Sequence, residues 1–223
     1  MAKKTVNKST TKKPNADRLI EWYMAYTLEN EQAPKSVYKF AKEHQIEEAD
    51  FYRFFGSFDG LRNDIWKRFY GNTISVMEAS KEYQEFTSRE KLLTFFYTLF
   101  EVLSANRSYV LFVLNQYEMP LKNLEQLRGL RKKIRSFAKQ LVADDNQEKS
   151  IKILQKSEMI FAEAVWIQFL FLLKFWANDN SPAFESTDVA IEKSVNTAFD
   201  VFDNTPLERI IDFGKFLWKE KMV

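Results

Sequence analysis

The sequence predicts an all-α fold, and three observations support this class. Apolar residues recur at intervals of three and four positions instead of alternating, which is the period of a helix with one buried face. Only five glycines and five prolines occur among the 223 residues, so signals for tight turns between strands are few. Thr87 and Glu90 have the spacing of a capping box, which starts a helix. A chain of this length that is 45% hydrophobic can also bury a sizeable core.

The first helix is predicted at residues 17–31. Leu19, Ile20 and Tyr23 give it an apolar face, and Pro34 ends the connection that follows. The helix therefore has one side to bury against whatever comes next in the chain.

Two short helices are predicted after this connection. Val37, Phe40 and Ala41 stand at i, i+3 and i+4, so they share one face of the first short helix. The second is expected to pack on it through Ala49, Phe51, Tyr52, Phe54 and Phe55. Two short helices joined by a tight turn predict a helix-turn-helix, because neither can form a core alone.

The rest of the chain is predicted to form longer helices. A fourth helix starts behind Ser57 and continues toward Val76, so that it bridges two domains. A fifth begins at the capping box. The remaining helices are predicted at residues 108–117, from 120 to a fading end at 143–146, and at 148–177, 187–203 and 205–221. The helix at residues 148–177 is apolar on more than one face, so it needs packing partners on both sides.

Residues 35–61 resemble the N-terminal domain of TetR-type regulators. The positions that match the pattern of that family are Val37, Phe40, Ala41, Ile46, Phe51, Tyr52, Phe55, Ser57 and Leu61. The resemblance implies a TetR-like fold, in which an N-terminal three-helix helix-turn-helix domain precedes a C-terminal helical domain for ligand binding and dimerisation. It divides the chain into a basic disordered arm at 1–16, a helix-turn-helix domain at 17–57 and the C-terminal domain at 58–223.

The resemblance also implies a DNA-binding surface. Its residues would be Lys35, Ser36, Lys39, Glu47, Glu48, Asp50, Tyr52 and Arg53. Three of these are carboxylates, which repel phosphates, because affinity for DNA comes largely from Lys and Arg that displace counterions. A glutamate can still accept a hydrogen bond from cytosine N4. Phe58 replaces the Lys that the family has at this position, which removes an expected phosphate contact.

Lysines near this surface partly restore the DNA-binding interpretation. The arm contains five of them and no acid: Lys3, Lys4, Lys8, Lys12 and Lys13. A basic arm before a helix-turn-helix can lie along a groove, and the same composition is typical of a solvated tail. Lys35, Lys39 and Lys42 share one helical face, which is either a phosphate contact or an ordinary charged surface.

A second resemblance lies in the C-terminal half. The segment resembles the D-x-S-P-x-F-E-x-T-x-x-x-x-E pattern of the ubiquinone-biosynthesis accessory family, a lipid-binding group with a TetR-like fold. The matching residues are Asp179, Ser181, Pro182, Phe184, Glu185, Thr187 and Glu192. Capping also explains these residue types, since Asp179 and Ser181 can cap a turn, and Thr187 can cap the helix that follows.

A ligand pocket is predicted in the C-terminal domain. Its lining would consist of Phe96, Phe100, Tyr109, Phe112, Trp166 and Phe169. Such a cleft suits a hydrophobic small molecule or lipid, although aromatic residues at helical spacing also occur in ordinary cores. The resemblance further implies a homodimer formed by the last two long helices of the core. The alternative is that residues 148–177 form the central core helix of a monomer.

Composition and motifs exclude several other functions. His44 is the only histidine and cysteine is absent, so no metal or thiolate site is expected. No phosphate loop or catalytic motif occurs, and we therefore expect neither an enzyme nor a cofactor. The basic N-terminus lacks the apolar stretch of a signal peptide. The apolar run at residues 160–177 is interrupted by polar side chains, which is typical of a buried helix in a cytoplasmic protein.

Two functions are compatible with these features. The first is a TetR-type DNA-binding transcriptional regulator that responds to a hydrophobic small molecule, with duplex DNA as its partner. The second is a lipid- or isoprenoid-binding protein that keeps the TetR-like fold and has lost DNA recognition. The helix-turn-helix spacing favours the first, and the acidic Glu47, Glu48 and Asp50 favour the second.

Overall fold

The computed structural model describes residues 14–115, 124–147 and 158–204. Over these ranges the regular elements are helical, which confirms the predicted all-α class. The α-helices are α1 (Ala16–Asn30), α2 (Val37–Glu43), α3 (Glu48–Tyr52), α4 (Phe58–Glu78), α5 (Ser88–Ser104), α6 (Arg107–Leu114), α7 (Arg128–Gln147), α8 (Glu158–Ala177) and α9 (Glu185–Asn204). The lysines of the N-terminal arm and the helix predicted at residues 205–221 lie outside the described ranges.

The chain divides into two compact units, residues 1–65 and residues 66–223. The division falls inside α4, between Ile65 and Trp66, whereas the sequence predicted a boundary at residue 57. The fourth helix does connect the two parts of the chain, as expected from the sequence.

The first unit closes around aromatic side chains of α1, α2 and α3. Phe40 and Phe51 are fully buried, and their ring centroids lie 6.1 Å apart in an edge-to-face arrangement. Phe58 adds a third ring, with centroids 5.6 Å from Phe40 and 5.2 Å from Phe51. Phe58 is half-buried, and its contacts with these two rings explain an aromatic residue at this position. Leu19 and Tyr23 of α1 complete this core.

The predicted packing of α3 was wrong in part. Phe51 and Phe55 are buried, with exposed fractions of 0% and 7%. Tyr52 and Phe54, which the sequence placed in the same apolar set, are exposed at 51% and 40%, and Ala49 is exposed as well. The helix has only five residues, so a single turn can direct only one narrow face into the core.

The second unit contains α5 to α9 and the C-terminal part of α4. The capping box at the start of α5 is confirmed, because the backbone N–H of Thr87 donates to Glu90 Oε2 at 2.8 Å and the N–H of Glu90 donates to Thr87 Oγ1 at 3.3 Å. Behind it, the buried face of α5 follows the helical period through Leu92, Phe95, Phe96, Leu99, Phe100 and Leu103. This face packs against α7 and α9.

Helix α8 is the most apolar element of the second unit. It packs against α7 and α9, and its fully or nearly fully buried residues include Phe161, Val165, Phe169, Leu172 and Trp176. By length and composition alone it could cross a membrane, and 44% of that stretch is buried inside the fold. A helix that packs on two neighbours in this way has the environment of a core helix.

The ends of two helices differ from the sequence-based expectation. Helix α7 is preceded by a 3-10 turn at Glu125–Leu127 and continues to Gln147, one residue beyond the fading end predicted at residues 143–146. Helix α9 begins at Glu185, two residues before Thr187, directly after a 3-10 turn at Pro182–Phe184. The described part of α8 begins at Glu158, and residues 148–157 lie outside the description.

Candidate functional site

The turn between α2 and α3 has the hydrogen bonds of a Schellman motif. The N–H of Ile46 donates to the carbonyl of Ala41 at 3.0 Å, and the N–H of Gln45 donates to the carbonyl of Lys42 at 3.3 Å. Gln45 has φ 56°, a left-handed conformation that usually needs glycine. This turn reverses the chain within three residues, and it therefore sets the angle between the two short helices.

The predicted DNA-binding residues of α2 lie at its start and along its exposed side. Ser36 caps the helix, since its Oγ accepts a hydrogen bond from the N–H of Lys39 at 3.2 Å. The side chains of Lys35 and Lys39 are exposed. Tyr38, which the sequence analysis did not single out, is exposed at 58%. Its position outside the stripe of Phe40 and Ala41 is the signal that could have identified it.

The acidic residues of α3 do not all have the same surroundings. The carboxylate of Asp50 accepts a hydrogen bond from the backbone N–H of Glu47 at 3.4 Å and contacts Arg53 Nη1 at 3.3 Å. Its side chain is 24% exposed, whereas that of Arg53 is 65% exposed. The expectation that three carboxylates face phosphates therefore needs correction for Asp50, which lies at the N-terminal end of its own helix. Glu47 remains exposed and Glu48 half-buried.

The exposed surface of α2 and α3 carries both hydrogen-bond donors and carboxylates. The exposed groups include the ammonium groups of Lys35 and Lys39, the guanidinium of Arg53 and the hydroxyl of Tyr52. Cationic and hydroxyl groups of this kind contact phosphate and sugar oxygens, while a glutamate such as Glu47 can accept from cytosine. The arrangement is chemically suited to a duplex groove, with fewer cations than usual.

His44 ends α2 and is enclosed by aromatic rings. Its ring stacks on Trp22, with centroids 4.5 Å apart, and meets the edge of Phe40 at 4.6 Å. Burial lowers the pKa of His44 below 6.5, and the nearby carboxylates of Glu43 and Glu29 only partly oppose this effect. The neutral imidazole is therefore a packing element of the helix-turn-helix.

The six predicted ligand-binding residues are mostly core residues of the second unit. Phe96 and Phe169 are fully buried, Tyr109, Phe100 and Trp166 are nearly so, and Phe112 is half-buried. The structure brings three of them together, since the ring of Phe169 lies 5.3 Å from Trp166 and 6.3 Å from Phe100. These three rings therefore pack against one another, as in an ordinary aromatic core.

Phe100 also borders a cleft of about 440 Å³ at the junction of α5 with the ends of α8 and α9. The other lining residues are Tyr97, Glu101, Ser104, Trp176, Ala183, Phe184, Thr187 and Asp188. Burial raises the pKa of Asp188, and the carboxylates of Glu101, Asp179 and Glu185 raise it further. The cleft combines aromatic walls with a negative field, which the sequence alone did not show.

The D-x-S-P segment forms a dense hydrogen-bond network around one carboxylate. Asp179 Oδ1 accepts from the N–H and hydroxyl of Ser181 at 2.9 and 2.7 Å, and Oδ2 accepts from the N–H and hydroxyl of Thr187 at 2.9 and 2.6 Å. Burial by itself raises the pKa of Asp179, but these hydrogen bonds outweigh it, so that the pKa falls to about 2. The predicted capping role of Thr187 thus needs correction, because Asp179 and Ser181 supply the acceptors at the start of α9.

Arg107 of α6 contacts the segment that joins α8 to α9. Its guanidinium lies 4.5 Å from the ring centroid of Trp176 and 4.4 Å from that of Phe184. It also donates hydrogen bonds to the carbonyls of Trp176, Ala177 and Asp179 at the end of α8. Orphan carbonyls at a helix end are favourable partners for a cation, so this residue has a structural role.

An exposed apolar face runs along α8 and α9. On α8 it includes Met159, Ile167, Phe171 and Phe175, with exposed fractions of 64%, 64%, 55% and 38%. On α9 it includes Val189 and Val201. A groove of about 530 Å³ lies between the two helices, lined by Ala164, Gln168, Phe171, Ala190, Lys193, Ser194, Thr197, Ala198, Val201 and Phe202. Large exposed apolar faces commonly mark interaction sites.

Over the described ranges, no group of three or more His, Cys, Asp or Glu residues is placed to hold a metal ion.

A search of the curated proteins finds no match to this chain. The family model described as "Tetracyclin repressor-like, C-terminal domain" matches residues 91–217, which is more than half of the sequence. The protein therefore belongs to the tetracyclin repressor-like family.

Proposed function

We propose that this protein is a cytoplasmic, homodimeric transcriptional regulator that binds duplex DNA through α2 and α3 and responds to a hydrophobic small molecule. The observation that carries the proposal is the turn at Gln45, which joins two short helices with the hydrogen bonds of a tight helix-turn-helix. Membership of the tetracyclin repressor-like family supports a regulator in the same way.

The acidic composition of α3 is the main argument against DNA binding, and the geometry weakens it. Asp50 is engaged with the backbone of Glu47 and with Arg53. Its charge therefore stabilises the start of α3 instead of facing a partner. Glu47 and Glu48 remain, and a glutamate at the groove can select for cytosine.

Dimerisation through α8 and α9 is the second part of the proposal. Ile167 and Phe171 are exposed on α8, and Val201 is exposed on α9 beside the groove that both helices line. Removal of such side chains from water contributes roughly 25 cal/mol per Å² of apolar area, from which the entropic cost of association is subtracted. A twofold dimer also matches a pseudo-palindromic DNA site.

The ligand is the third part of the proposal. We place it in the cleft that Phe100 borders, in contact with Tyr97 and Phe184. The buried rings of Trp166 and Phe169 lie behind Phe100, so a ligand that displaces Phe100 would disturb the core of the second unit. The carboxylates of Glu101 and Asp188 favour an apolar ligand that has a positive or hydrogen-donating end.

The lipid-binding alternative receives no comparable support. Besides the acidic residues of α3, it rests on the segment that contains Asp179, Ser181 and Thr187, and these side chains form hydrogen bonds with one another. Capping therefore accounts for the residues without a lipid.

Selection of genomic DNA fragments by the purified protein tests the DNA-binding role. We expect enrichment of a palindrome whose half-sites lie about one helical turn or a multiple apart. Arg53→Ala and Lys39→Ala should each weaken binding to the selected site, whereas Lys81→Ala, at an exposed lysine of the second unit, should not. A selected pool without any enriched sequence would overturn the proposal.

A further inference from the structure

One face of α7 concentrates positive charge. Residues 128–139 contain six basic residues and no acid: Arg128, Arg131, Lys132, Lys133, Arg135 and Lys139. The opposite face of the helix is fully buried through Leu130, Ile134 and Ala138. The apolar side thus fixes the helix in the core, and the basic side is directed outward.

Two of the six cations pair with an acid of α8, three are exposed, and the sixth, Lys139, is half-buried. Arg131 Nη2 lies 3.0 Å from Glu163 Oε2, and Arg135 Nη2 lies 2.8 Å from Glu163 Oε1. These two guanidinium groups join α7 to α8. Arg128, Lys132 and Lys133 are exposed, and no ion pair joins them to any residue that the structure describes.

A lysine from α4 extends this surface. A Cβ atom on Gly129 would lie only 2.9 Å from Cε of Lys67, so the glycine allows the lysine stem to cross α7 at this point. Trp66 Nε1 also donates to Gln126 Oε1 at 3.1 Å, which holds α4 against the start of α7. We call Lys67, Arg128, Lys132 and Lys133 the α7 basic face.

The chemistry of the α7 basic face favours phosphates over other anionic partners. None of the large apolar residues that are exposed in the described parts of the chain belongs to α7. A protein partner or a membrane surface is usually bound through apolar anchors as well as charge. The phosphate backbone of a duplex needs only Lys and Arg, because counterion release supplies the affinity.

The helix-turn-helix also has little positive charge of its own for phosphate contacts, and the α7 basic face would supply more. Arg53 shares its charge with Asp50, and Glu47 and Glu48 add repulsion toward phosphates. We propose that the α7 basic face binds the phosphate backbone of duplex DNA without sequence preference. This inference rests on the proposed function, because it supplies affinity while α2 and α3 supply sequence selection.

The test measures binding of the full-length protein to a random-sequence duplex of roughly three helical turns, over a salt series from about 50 to about 200 mM. Lys132→Gln/Lys133→Gln should reduce the slope of log affinity against log salt by about two and weaken binding roughly tenfold or more. Lys81→Glu changes the net charge by the same two units at another exposed lysine of the second unit. This control should leave the slope unchanged.

Further measurements distinguish this inference from the proposed function. If a palindrome is enriched and the double variant keeps the same preference with a lower salt slope, both are supported. If the palindrome is enriched but the double variant has the same salt slope as wild type, the inference fails and the proposed function stands. If no sequence is enriched, the proposed function fails, and the random duplex still tests the surface. Binding of phosphatidylglycerol vesicles or polyglutamate that exceeds duplex binding and depends on Lys132 and Lys133 would overturn the inference.

Discussion

The imidazole of His44 lies flat on the indole of Trp22, with ring planes only 3° apart and centroids separated by 4.5 Å. The contact joins the end of α2 to α1, next to the turn that sets the helix-turn-helix angle. Burial lowers the pKa of His44 below 6.5, so the fold favours the neutral ring. The protonation state of this residue is therefore coupled to the stability of the first unit.

This coupling predicts a pH dependence. Because the pKa of His44 is lower in the folded state, the stabilisation is complete above pH 6.5 and decreases as the pH falls below that value. His44→Phe should keep the ring contact and flatten the dependence between pH 6.5 and the titration range of the carboxylates. Urea unfolding followed by Trp fluorescence over this range checks the prediction. Since the chain has one histidine, an unchanged pH profile in the variant would contradict it.

The left-handed turn residue predicts a stabilising substitution. Gln45→Gly should raise the free energy of unfolding by about 1 kcal/mol, because glycine has no Cβ to strain at φ 56°. The same change in the interior of α7, Gln140→Gly, should lower it by about 1 kcal/mol. Denaturant titrations of both variants give the two values. Destabilisation by Gln45→Gly would mean that the glutamine side chain makes contacts that outweigh the strain.

The carboxylate of Asp179 predicts a large effect at the start of α9. Asp179→Asn should lower the free energy of unfolding by about 2 kcal/mol, because its four hydrogen-bond donors lose a charged acceptor. Asp200→Asn, at an ion pair with Arg89 that is 62% exposed on the aspartate side, should cost less than about 1 kcal/mol.

The lowered pKa of Asp179 also predicts how its contribution to the free energy of unfolding changes at low pH. The contribution of this residue is complete above pH 3.8 and is lost as the pH falls through about 2. The difference in stability between wild type and Asp179→Asn should therefore shrink in this window. A difference that stays constant down to pH 2 would contradict the assignment.

The apolar face of α8 predicts how the dimer can be broken. Phe171→Glu or Ile167→Glu should convert a dimer of about twice 26.5 kDa into a monomer, because a buried carboxylate would oppose association. Val76→Glu, at a similarly exposed valine of α4, should leave the dimer intact. Sedimentation velocity at micromolar concentration measures both. A wild-type protein that is already monomeric would contradict the proposed interface.

The acidic cleft predicts a preference among ligands. Apolar amines should raise the melting temperature more than uncharged analogues of the same shape, because Glu101 and Asp188 line the cleft. Glu101→Gln should reduce this difference, whereas Glu125→Gln, at an exposed glutamate before α7, should not. Thermal shift measurements with matched pairs of compounds provide the readout. Equal shifts for the amines and their uncharged analogues would contradict the placement of the ligand.

Much of the fold could be predicted because its signals are local. The spacing of Val37, Phe40 and Ala41, the capping box at Thr87 and the breaker at Pro34 depend on neighbours within four residues. Helix ends were less predictable, since the start of α9 at Glu185 depends on a carboxylate six residues earlier in the chain. The acidic cleft was not predicted, because Glu101 and Asp188 meet only after α5 and α9 pack together.

The helical class and the helix-turn-helix could be predicted from the sequence, because periodicity and capping depend on residues that are close together in the chain. The tertiary structure was needed to show which members of each predicted apolar set are buried and which stay exposed. It placed the half-buried Phe58 against the rings of Phe40 and Phe51 and Asp50 against Arg53, and it left Phe171 exposed. These outcomes depend on which elements pack together, because a side chain is buried only where another part of the chain covers it.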